Sequence, residues 1–179
     1  YPSRKSRVGV ALRVGVLAVQ GAVSEHLDAL RRAADKMGLD VEAVPVRTAA
    51  DLGGVHGLIL PGGESTTISR LLRSGHLQQP LLERAGRDLA VFGTCAGLIL
   101  LSSKAVQDVA GKDIELLGLL DAEVDRNAFG RQKDSFESHL RVEGVGDIAA
   151  VFIRAPVLTK AWDPTLRLAR NEPGIVAVR

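Results

Sequence analysis

A single cysteine lies in a turn whose composition suits a reactive nucleophile. Residues 93–97 read Gly-Thr-Cys-Ala-Gly, between the apolar runs 89–92 and 98–101. In a strand-to-helix elbow of the form G-x-nucleophile-x-G, small residues relieve crowding in a sharp turn and leave the central side chain exposed. The pattern predicts that Cys95 is a nucleophile. The alternative is a buried cysteine that serves as a small hydrophobic residue.

A second turn, over residues 61–67, reads Pro-Gly-Gly-Glu-Ser-Thr-Thr and follows the apolar run 57–60. Adjacent glycines let a ligand approach the backbone, and the N–H groups that begin the next helix can stabilise an anion. We expect the N–H groups of Gly63 and Ala96 to form an oxyanion hole. The alternative is an ordinary glycine turn with a serine cap. The phosphate-loop pattern G-x-x-x-x-G-K-[ST] is absent.

Both turns follow predicted strands of an open α/β sheet. Four near-continuous apolar runs, typical of parallel strands covered on both faces, alternate with helical patterns at residues 14–19, 41–46, 57–60 and 89–92. This alternation predicts an open, mostly parallel twisted sheet with helices on both faces. Ligands bind beyond the carboxyl ends of such strands, so the amide of Gln20, in the turn after the first strand, is a weaker candidate to face the same crevice. The alternative is a solvated turn glutamine, which is the commoner case.

Capping residues and periodicity place the helices. Ser24 is predicted to cap the first helix and Gly38 to end it, and Ser65 or Thr66 is predicted to start a later one. The inner face of that later helix is predicted to carry Ile68, Leu71 and Leu72. After Gly111 the pattern predicts shorter strands at residues 116–124, 136–142 and 151–153, then a hairpin of residues 166–169 and 175–178.

Composition excludes several classes of protein. The chain has 179 residues, which suits one compact domain. Its net charge of +2 includes four basic residues and no acidic residue in the first 13, and only 3% of residues are aromatic, so no nucleic-acid role is indicated. The apolar stretch 8–19 is interrupted by Arg13 and is too short to cross a membrane. One cysteine cannot form an intrachain disulfide, so we expect a reducing, cytoplasmic setting.

We interpret residues 1–13 as an N-terminal extension or remnant and residues 14–179 as one domain. The sequence has neither the residue clusters of a metal site nor a nucleotide-binding fingerprint. No metal and no cofactor are therefore predicted.

With these turns in view, the sequence resembles the class I glutamine amidotransferases, and among them the glutaminase subunits of pyridoxal 5′-phosphate synthase. The resemblance runs from about Val14 to the end of the chain. Its motifs are residues 17–23, 60–67, 92–97, 126–127, 129–132, 134–137 and 151–156. The Gly-Gly-Glu-Ser turn, with the later Arg-Asn and Phe-Gly-Arg-Gln segments, distinguishes this group from the glutaminases of histidine, tryptophan and purine synthesis.

The resemblance implies a flavodoxin-like three-layer sandwich and a specific chemistry. Cys95 would attack the carboxamide of L-glutamine, form a glutamyl thioester and release ammonia, after which water releases glutamate. The residues that correspond to the glutamine-binding positions are Gly63, Glu64, Ser65, Arg126, Ile153 and Arg154. An arginine would hold the substrate α-carboxylate and a carboxylate its α-amino group. The sequence leaves open which arginine does so, and for each of the two a structural ion pair is the alternative.

The resemblance also implies a partner. The ammonia would pass to the synthase subunit that builds pyridoxal phosphate, which is then a product of the complex and not a ligand of this chain. Glutaminases of this group resemble one another in being poorly active until the partner binds and completes the oxyanion hole. We place that switch at Gln20 and Gly62.

One part of the family pattern is missing. The catalytic triad of the family includes a His-Pro-Glu segment, and none of the four histidines, His26, His56, His76 and His139, begins a His-x-Glu. We expect surface or capping roles for all four. A thiol without a positioned imidazole lacks the acid that protonates departing ammonia. The chain as given is therefore expected to be nearly inactive and to lack a C-terminal segment that carries the base.

Two other functions stay open at this point. The first is a noncatalytic glutaminase-like module that binds the synthase without turning over glutamine. The second is a cysteine-elbow hydrolase or redox-responsive protein of a related α/β fold. Glutamate release, and protection of the Cys95 thiol from alkylation by glutamine, would distinguish them from a glutaminase.

Overall fold

The computed structural model describes residues 11–106, 114–126, 128, 135–172 and 174–179. The predicted motif residues Asn127, 129–132 and Asp134 lie outside this set. The first half alternates strands and helices: β1 Leu12–Leu17, α1 Val23–Met37, β2 Val41–Val46, α2 Ala49–Gly53, β3 Gly57–Leu60, α3 Ser65–Ser74, α4 Gln78–Ala85, β4 Ala90–Gly93 and α5 Ala96–Leu101. The second half consists of strands: β5 Ser102–Ala105, β6 Leu120–Asp125, β7 Phe136–Val142, β8 Gly146–Phe152, β9 Val157–Ala161, β10 Arg167–Asn171 and β11 Gly174–Val178.

Four parallel strands form the sheet that positions the predicted site, in the order β2-β1-β3-β4. The chain leaves β1 toward β2 on one side and continues through β3 and β4 on the other. Right-handed crossovers in opposite directions place helices on opposite faces of a sheet. The direction in which the chain adds strands thus reverses between β1 and β3. Open α/β sheets bind ligands at such a switch point. This confirms the predicted mostly parallel α/β fold.

The main core lies between this sheet and the helices. Its largest fully buried side chains are aliphatic and come from both layers; they include Leu17, Val46, Leu58, Leu60, Ile68, Leu72 and Leu100. Helix α5 packs closely on β3 at Gly97. The Leu60 carbonyl lies so near this glycine that a Cβ atom would overlap it. The glycine that follows the cysteine thus brings the elbow against the neighbouring strand.

The second half forms a five-stranded sheet, β10-β11-β9-β6-β5, and a separate hairpin, β7-β8. The rings of Phe136 and Phe152 stack across the hairpin with centroids 4.9 Å apart. Strand β7 coincides with the predicted segment 136–142, and the predicted terminal hairpin is observed as β10 and β11. Strands β5 and β9 were not expected, since Ser-Ser-Lys-Ala and Val-Leu-Thr-Lys-Ala lack a continuous apolar run.

Several predicted boundaries are wrong. Strand β1 begins at Leu12 rather than residue 14, because the Leu12 N–H donates to the Asp40 carbonyl and Arg13 bonds Glu42 across the strand pair at 2.7 Å. The strand therefore includes two residues that the sequence suggested were an extension. Strand β6 begins at Leu120 rather than residue 116.

The structure also differs from the predicted cap of α1 and from the predicted inner face of α3. Helix α1 begins at Val23, and Ser24 bonds the adjacent Glu25 carboxylate instead of capping the helix. In α3, Ile68 and Leu72 are buried, whereas Leu71 is 36% exposed because the helical repeat places it at the edge of the apolar stripe. The predicted end of α1 at Gly38 is confirmed, and this glycine has a left-handed conformation. Among the described helices, none is both long and apolar enough to span a membrane.

We predict that Gly97→Ala destabilises the fold by about 3 kcal/mol, toward the upper end of overpacking costs, because the obstacle is backbone rather than a flexible side chain. Urea unfolding measures the change. Gly53→Ala is the matched control, since Gly53 has open space around its Cβ position and is expected to stay within about 0.5 kcal/mol of the parent or gain stability. Equal stabilities of the two variants would contradict the close contact between α5 and β3.

Candidate active site

The turns after β1 and β3 are joined by two hydrogen bonds. The Ala22 N–H donates to the Gly62 carbonyl at 2.9 Å, and the Glu64 N–H donates to the side-chain oxygen of Gln20 at 3.0 Å. Gly21 has a φ of 109° and approaches the Gly62 carbonyl so closely that a Cβ would overlap it. The Gln20 side chain therefore holds the end of the glycine turn rather than being merely solvated, while its role at the site stays a prediction.

The cysteine elbow has the strained geometry expected of an exposed nucleophile. Cys95 has φ 50° and ψ −108°, a region that residues with a side chain rarely occupy. The Thr94 N–H donates to the Leu60 carbonyl at 3.1 Å, and the Gly97 N–H donates to the Thr94 carbonyl at 2.8 Å. Cys95 is half-buried rather than enclosed in the core. The elbow therefore presents a partly accessible thiol at the carboxyl edge of the sheet.

Gly62 faces this thiol-bearing residue. A Cβ atom built on Gly62 would lie 3.4 Å from the Cβ of Cys95. Because a trans peptide points its C=O and N–H in opposite directions, the bond from Ala22 to the Gly62 carbonyl turns the Gly63 N–H away from Ala22. Among the described residues, no turn or cap hydrogen bond uses the N–H of Gly63 or Ala96. The roles of the Gly63 and Ala96 N–H groups as oxyanion donors therefore remain predictions.

Glu64 caps helix α3. Its carboxylate accepts hydrogen bonds from the N–H groups of Thr66 at 3.1 Å and Thr67 at 2.7 Å, and from the Thr67 hydroxyl at 2.6 Å. Burial acts to raise the pKa of Glu64, but the bonds from Thr67 and Thr66 together outweigh it and lower the pKa to about 2. The carboxylate is therefore ionised at neutral pH. It already occupies the helix N-terminus, where an anion was expected to bind.

Arg126 lies beside this carboxylate. Its guanidinium is 3.9 Å from the Glu64 Oε1 atom, and its side chain is 23% exposed. A cation and an anion thus lie together at the end of the glycine turn, which suits the carboxylate and amino group of an amino acid. Arg126 also lines a cavity of about 380 Å³, together with residues that include Ile99, Lys104 and Glu123; neither Cys95 nor Glu64 lines this cavity.

The remaining predicted binding residues are Ser65, Ile153 and Arg154. Ser65 is buried in the first turn of α3. Ile153 and Arg154 follow β8, where Ile153 is 63% exposed and Arg154 has a positive φ of 45°. Within the described part of the chain, no hydrogen bond or ion pair joins Ile153 or Arg154 to Cys95 or Glu64, so their binding roles stay predictions. Among the described residues, no three His, Cys, Asp or Glu side chains are grouped as metal ligands.

The sequence analysis missed one residue that contacts the elbow, His26. His26 lies in the first turn of α1, and its ring nitrogens lie 2.7 Å from the Ala22 carbonyl and 3.0 Å from the Thr94 hydroxyl. A surface or capping role was expected, and the ring does contact the carbonyl of the N-cap residue. The contact with Thr94 is the unexpected part. A signal was present, because a histidine four residues after the turn at Ala22 lies one helical turn from the carboxyl edge.

Comparisons with known proteins agree on one family. The profile of the SNO glutamine amidotransferase family matches residues 16–179. The chain is 50% identical over 171 residues to the pyridoxal 5′-phosphate synthase subunit PdxT of Methanoregula boonei, covering 93% of this chain and 84% of that protein. The corresponding subunit of Archaeoglobus fulgidus is 47% identical over 168 residues, covering 94% and 85%. A crystal structure of a glutamine amidotransferase superposes with a TM-score of 0.80 at 44% identity, covering 93% and 84%.

We predict that Glu64→Ala lowers the free energy of unfolding by about 1 kcal/mol at pH 7, the usual cost of losing an N-cap. Because the folded-state pKa of about 2 lies below the ordinary value of 4.5, this contribution is complete above about pH 4.5 and is lost as the pH falls toward 2. Urea unfolding of both proteins at pH 7 and near pH 2.5 measures the difference.

Glu137→Gln is the control, since Glu137 is an exposed carboxylate within strand β7 and begins no helix. Its stability is expected to match the parent at both pH values. A Glu64→Ala deficit that is the same at both pH values would show that the carboxylate charge does not act on the helix.

Proposed function

The chain belongs to the SNO glutamine amidotransferase family, and from that premise we propose that it is the glutaminase subunit of a pyridoxal 5′-phosphate synthase, releasing ammonia at Cys95. The observation that supports this most directly is the positive φ of Cys95 with Gly62 against it. A noncatalytic or core cysteine gains nothing from such strain, whereas an attacking thiol must stand clear of the sheet.

The proposed reaction begins when the Cys95 sulfur attacks the side-chain carbonyl carbon of glutamine. The C–N bond then breaks, the amide nitrogen takes a proton and leaves as ammonia, and a glutamyl thioester remains on Cys95. Water attacks the thioester, which releases glutamate and returns the thiol. The N–H groups of Gly63 and Ala96 are the proposed donors to the oxyanion, and losing one such donor costs about 100- to 1,000-fold in rate.

Substrate recognition is proposed to use the pair of charges beside the elbow. The ionised Glu64 carboxylate would accept hydrogen bonds from the substrate α-amino group, and the Arg126 guanidinium would hold the α-carboxylate. The sequence left open the choice between Arg126 and Arg154. We assign the carboxylate to Arg126 because it lies 3.9 Å from Glu64. The exposed segment of Ile153 and Arg154, and the buried Ser65, are proposed to complete the site.

On their contacts, none of the four histidines is placed to protonate the leaving ammonia. Both ring nitrogens of His26 are engaged, by the Ala22 carbonyl and the Thr94 hydroxyl. His56 accepts the Arg13 N–H, near the start of β3 and thus at the opposite end of the strands from Cys95. His76 lies in the turn after α3, and His139 is an exposed residue of β7. We therefore expect residues 1–179 by themselves to hydrolyse glutamine slowly, which is also what a noncatalytic module would show.

The ammonia is proposed to pass directly to the synthase subunit, because ammonia released into water is protonated and lost. We place the response to that partner at Gln20 and Gly62. The Gln20 side chain holds the Glu64 N–H, and the Gly62 carbonyl is held by Ala22. A partner that moves the start of α1 would therefore move the glycine turn and the Gly63 N–H with it.

We predict that Cys95→Ala abolishes glutamate release in the assembled synthase, by at least about 1,000-fold, since the covalent step is lost. Glutamate is measured after incubation with glutamine, and mass spectrometry of quenched parent protein is expected to find a glutamyl adduct on Cys95. Ser103→Ala, eight residues further along the chain, is the control and is expected to keep full activity. Glutamate release by the Cys95→Ala protein at the parent rate would show that another residue is the nucleophile.

The partner response gives a separate prediction. Glutaminase rates are measured with and without the synthase subunit, and the parent is expected to be faster with it. Gln20→Ala frees the Glu64 N–H and is expected to reduce this stimulation about tenfold, equivalent to about 1.4 kcal/mol. Equal parent rates with and without the synthase would contradict the proposed switch, as would undiminished stimulation of the variant.

A further inference from the structure

The His26 ring is fixed at both of its nitrogens. It is half-buried, with Nδ1 2.7 Å from the Ala22 carbonyl oxygen and Nε2 3.0 Å from the Thr94 hydroxyl. Thr94 lies 68 residues further along the chain, so the ring connects the start of α1 to the elbow that follows β4. What this contact does depends on which ring nitrogen carries the proton.

The partners determine that position. The Ala22 carbonyl can only accept, so Nδ1 carries a hydrogen and donates it. In the neutral ring Nε2 is then an acceptor, and the Thr94 hydroxyl donates to it. A neutral His26 thus holds Thr94 in one rotamer, with the hydroxyl directed at the start of α1.

These two contacts close a circuit of hydrogen bonds around the nucleophile. Ala22 donates its N–H to the Gly62 carbonyl and accepts from His26, while the Thr94 N–H donates to Leu60 at the end of β3. One imidazole therefore links Thr94, the residue before Cys95, to Ala22, which holds the Gly62 turn. The described contacts of His26 include neither Glu64 nor Arg126, so the ring lies outside the proposed substrate-binding pair.

We propose that His26 is a positioning residue: acting through the Thr94 hydroxyl, it holds the strained Cys95 elbow in line with the Gly62 turn. This inference rests on the proposed role of Cys95 as nucleophile. Releasing Thr94 lets the positive φ of Cys95 relax and moves the sulfur from its line of attack. Displacement of a reacting group slows the chemical step while leaving recognition by more distant groups intact.

The experiment uses the full-length protein assembled with its synthase. Four variants are compared: His26→Ala, Thr94→Val, Thr94→Ser and the double variant of the first two. His139→Ala and Thr159→Val are matched controls, since His139 is exposed on β7 and the Thr159 hydroxyl bonds Glu123 in a different sheet. Two quantities are measured: steady-state glutamate release, and the rate at which a diazoketone analogue of glutamine alkylates Cys95 at saturation, with the adduct located by mass spectrometry.

We expect His26→Ala and Thr94→Val each to lower kcat and the saturating alkylation rate by about tenfold, the upper end for one hydrogen bond, with KM within about twofold of the parent. Thr94→Ser keeps the hydroxyl and is expected to retain the parent rates. The double variant is expected to fall no further than His26→Ala, because both changes remove the same bond. The controls are expected to match the parent.

Other results overturn the proposal. Parent rates for His26→Ala, additive losses in the double variant, or a Thr94→Ser protein as slow as Thr94→Val would each show that the bond does not position the thiol. Thr94→Val preserves shape, so it gives an answer even where His26→Ala unfolds. The proposed function fails separately: a parent protein that forms no adduct on Cys95 is not a Cys95 glutaminase, and the positioning role fails with it.

Discussion

The bond from the Ala22 N–H to the Gly62 carbonyl is the constraint on which the site depends. It joins the turns after β1 and β3, which lie on the two sides of the point where the strand order reverses. The approach is close enough to exclude a side chain at Gly21. Once this bond is made, the glycine turn lies against Cys95 and the start of α1 lies near the elbow.

The elbow stores strain that the surrounding sheet maintains. A residue with a side chain in this region of backbone space costs about 1–3 kcal/mol, so neighbouring contacts must enforce it. Here the Thr94 N–H bonds Leu60, the Gly97 backbone packs on the same strand, and the Thr94 hydroxyl contacts His26. The thiol of Cys95 is thereby placed before any substrate arrives, which is the geometry that covalent catalysis requires.

Glu64 caps helix α3 with the same carboxylate that is proposed to bind the substrate amino group. As the cap of α3 it accepts three hydrogen bonds from Thr66 and Thr67, and these keep it ionised far below neutral pH. A fixed negative charge beside Arg126 is also what an amino acid zwitterion needs. The cap therefore preorganises the proposed binding group, because the carboxylate is already held in place by the helix that it stabilises.

The sequence by itself determined the alternation of strands and helices, the elbow at Cys95 and the glycine turn at Gly62, because apolar runs, glycines and turn residues act over a few neighbouring positions. Strands without a continuous apolar run, such as β5 and β9, were not predicted from the sequence, because they form by pairing with a strand that is distant in the chain. The identification of the family also followed from local motifs. The cap at Glu64 is also local, since its partners Thr66 and Thr67 lie two and three residues away, but the sequence analysis looked for the helix start at Ser65 or Thr66 and missed it. Only the tertiary structure decided that Arg126 lies 3.9 Å from Glu64 and that His26 reaches Thr94. Both contacts depend on which elements the sheet brings together, and residues so far apart in the chain leave no local pattern.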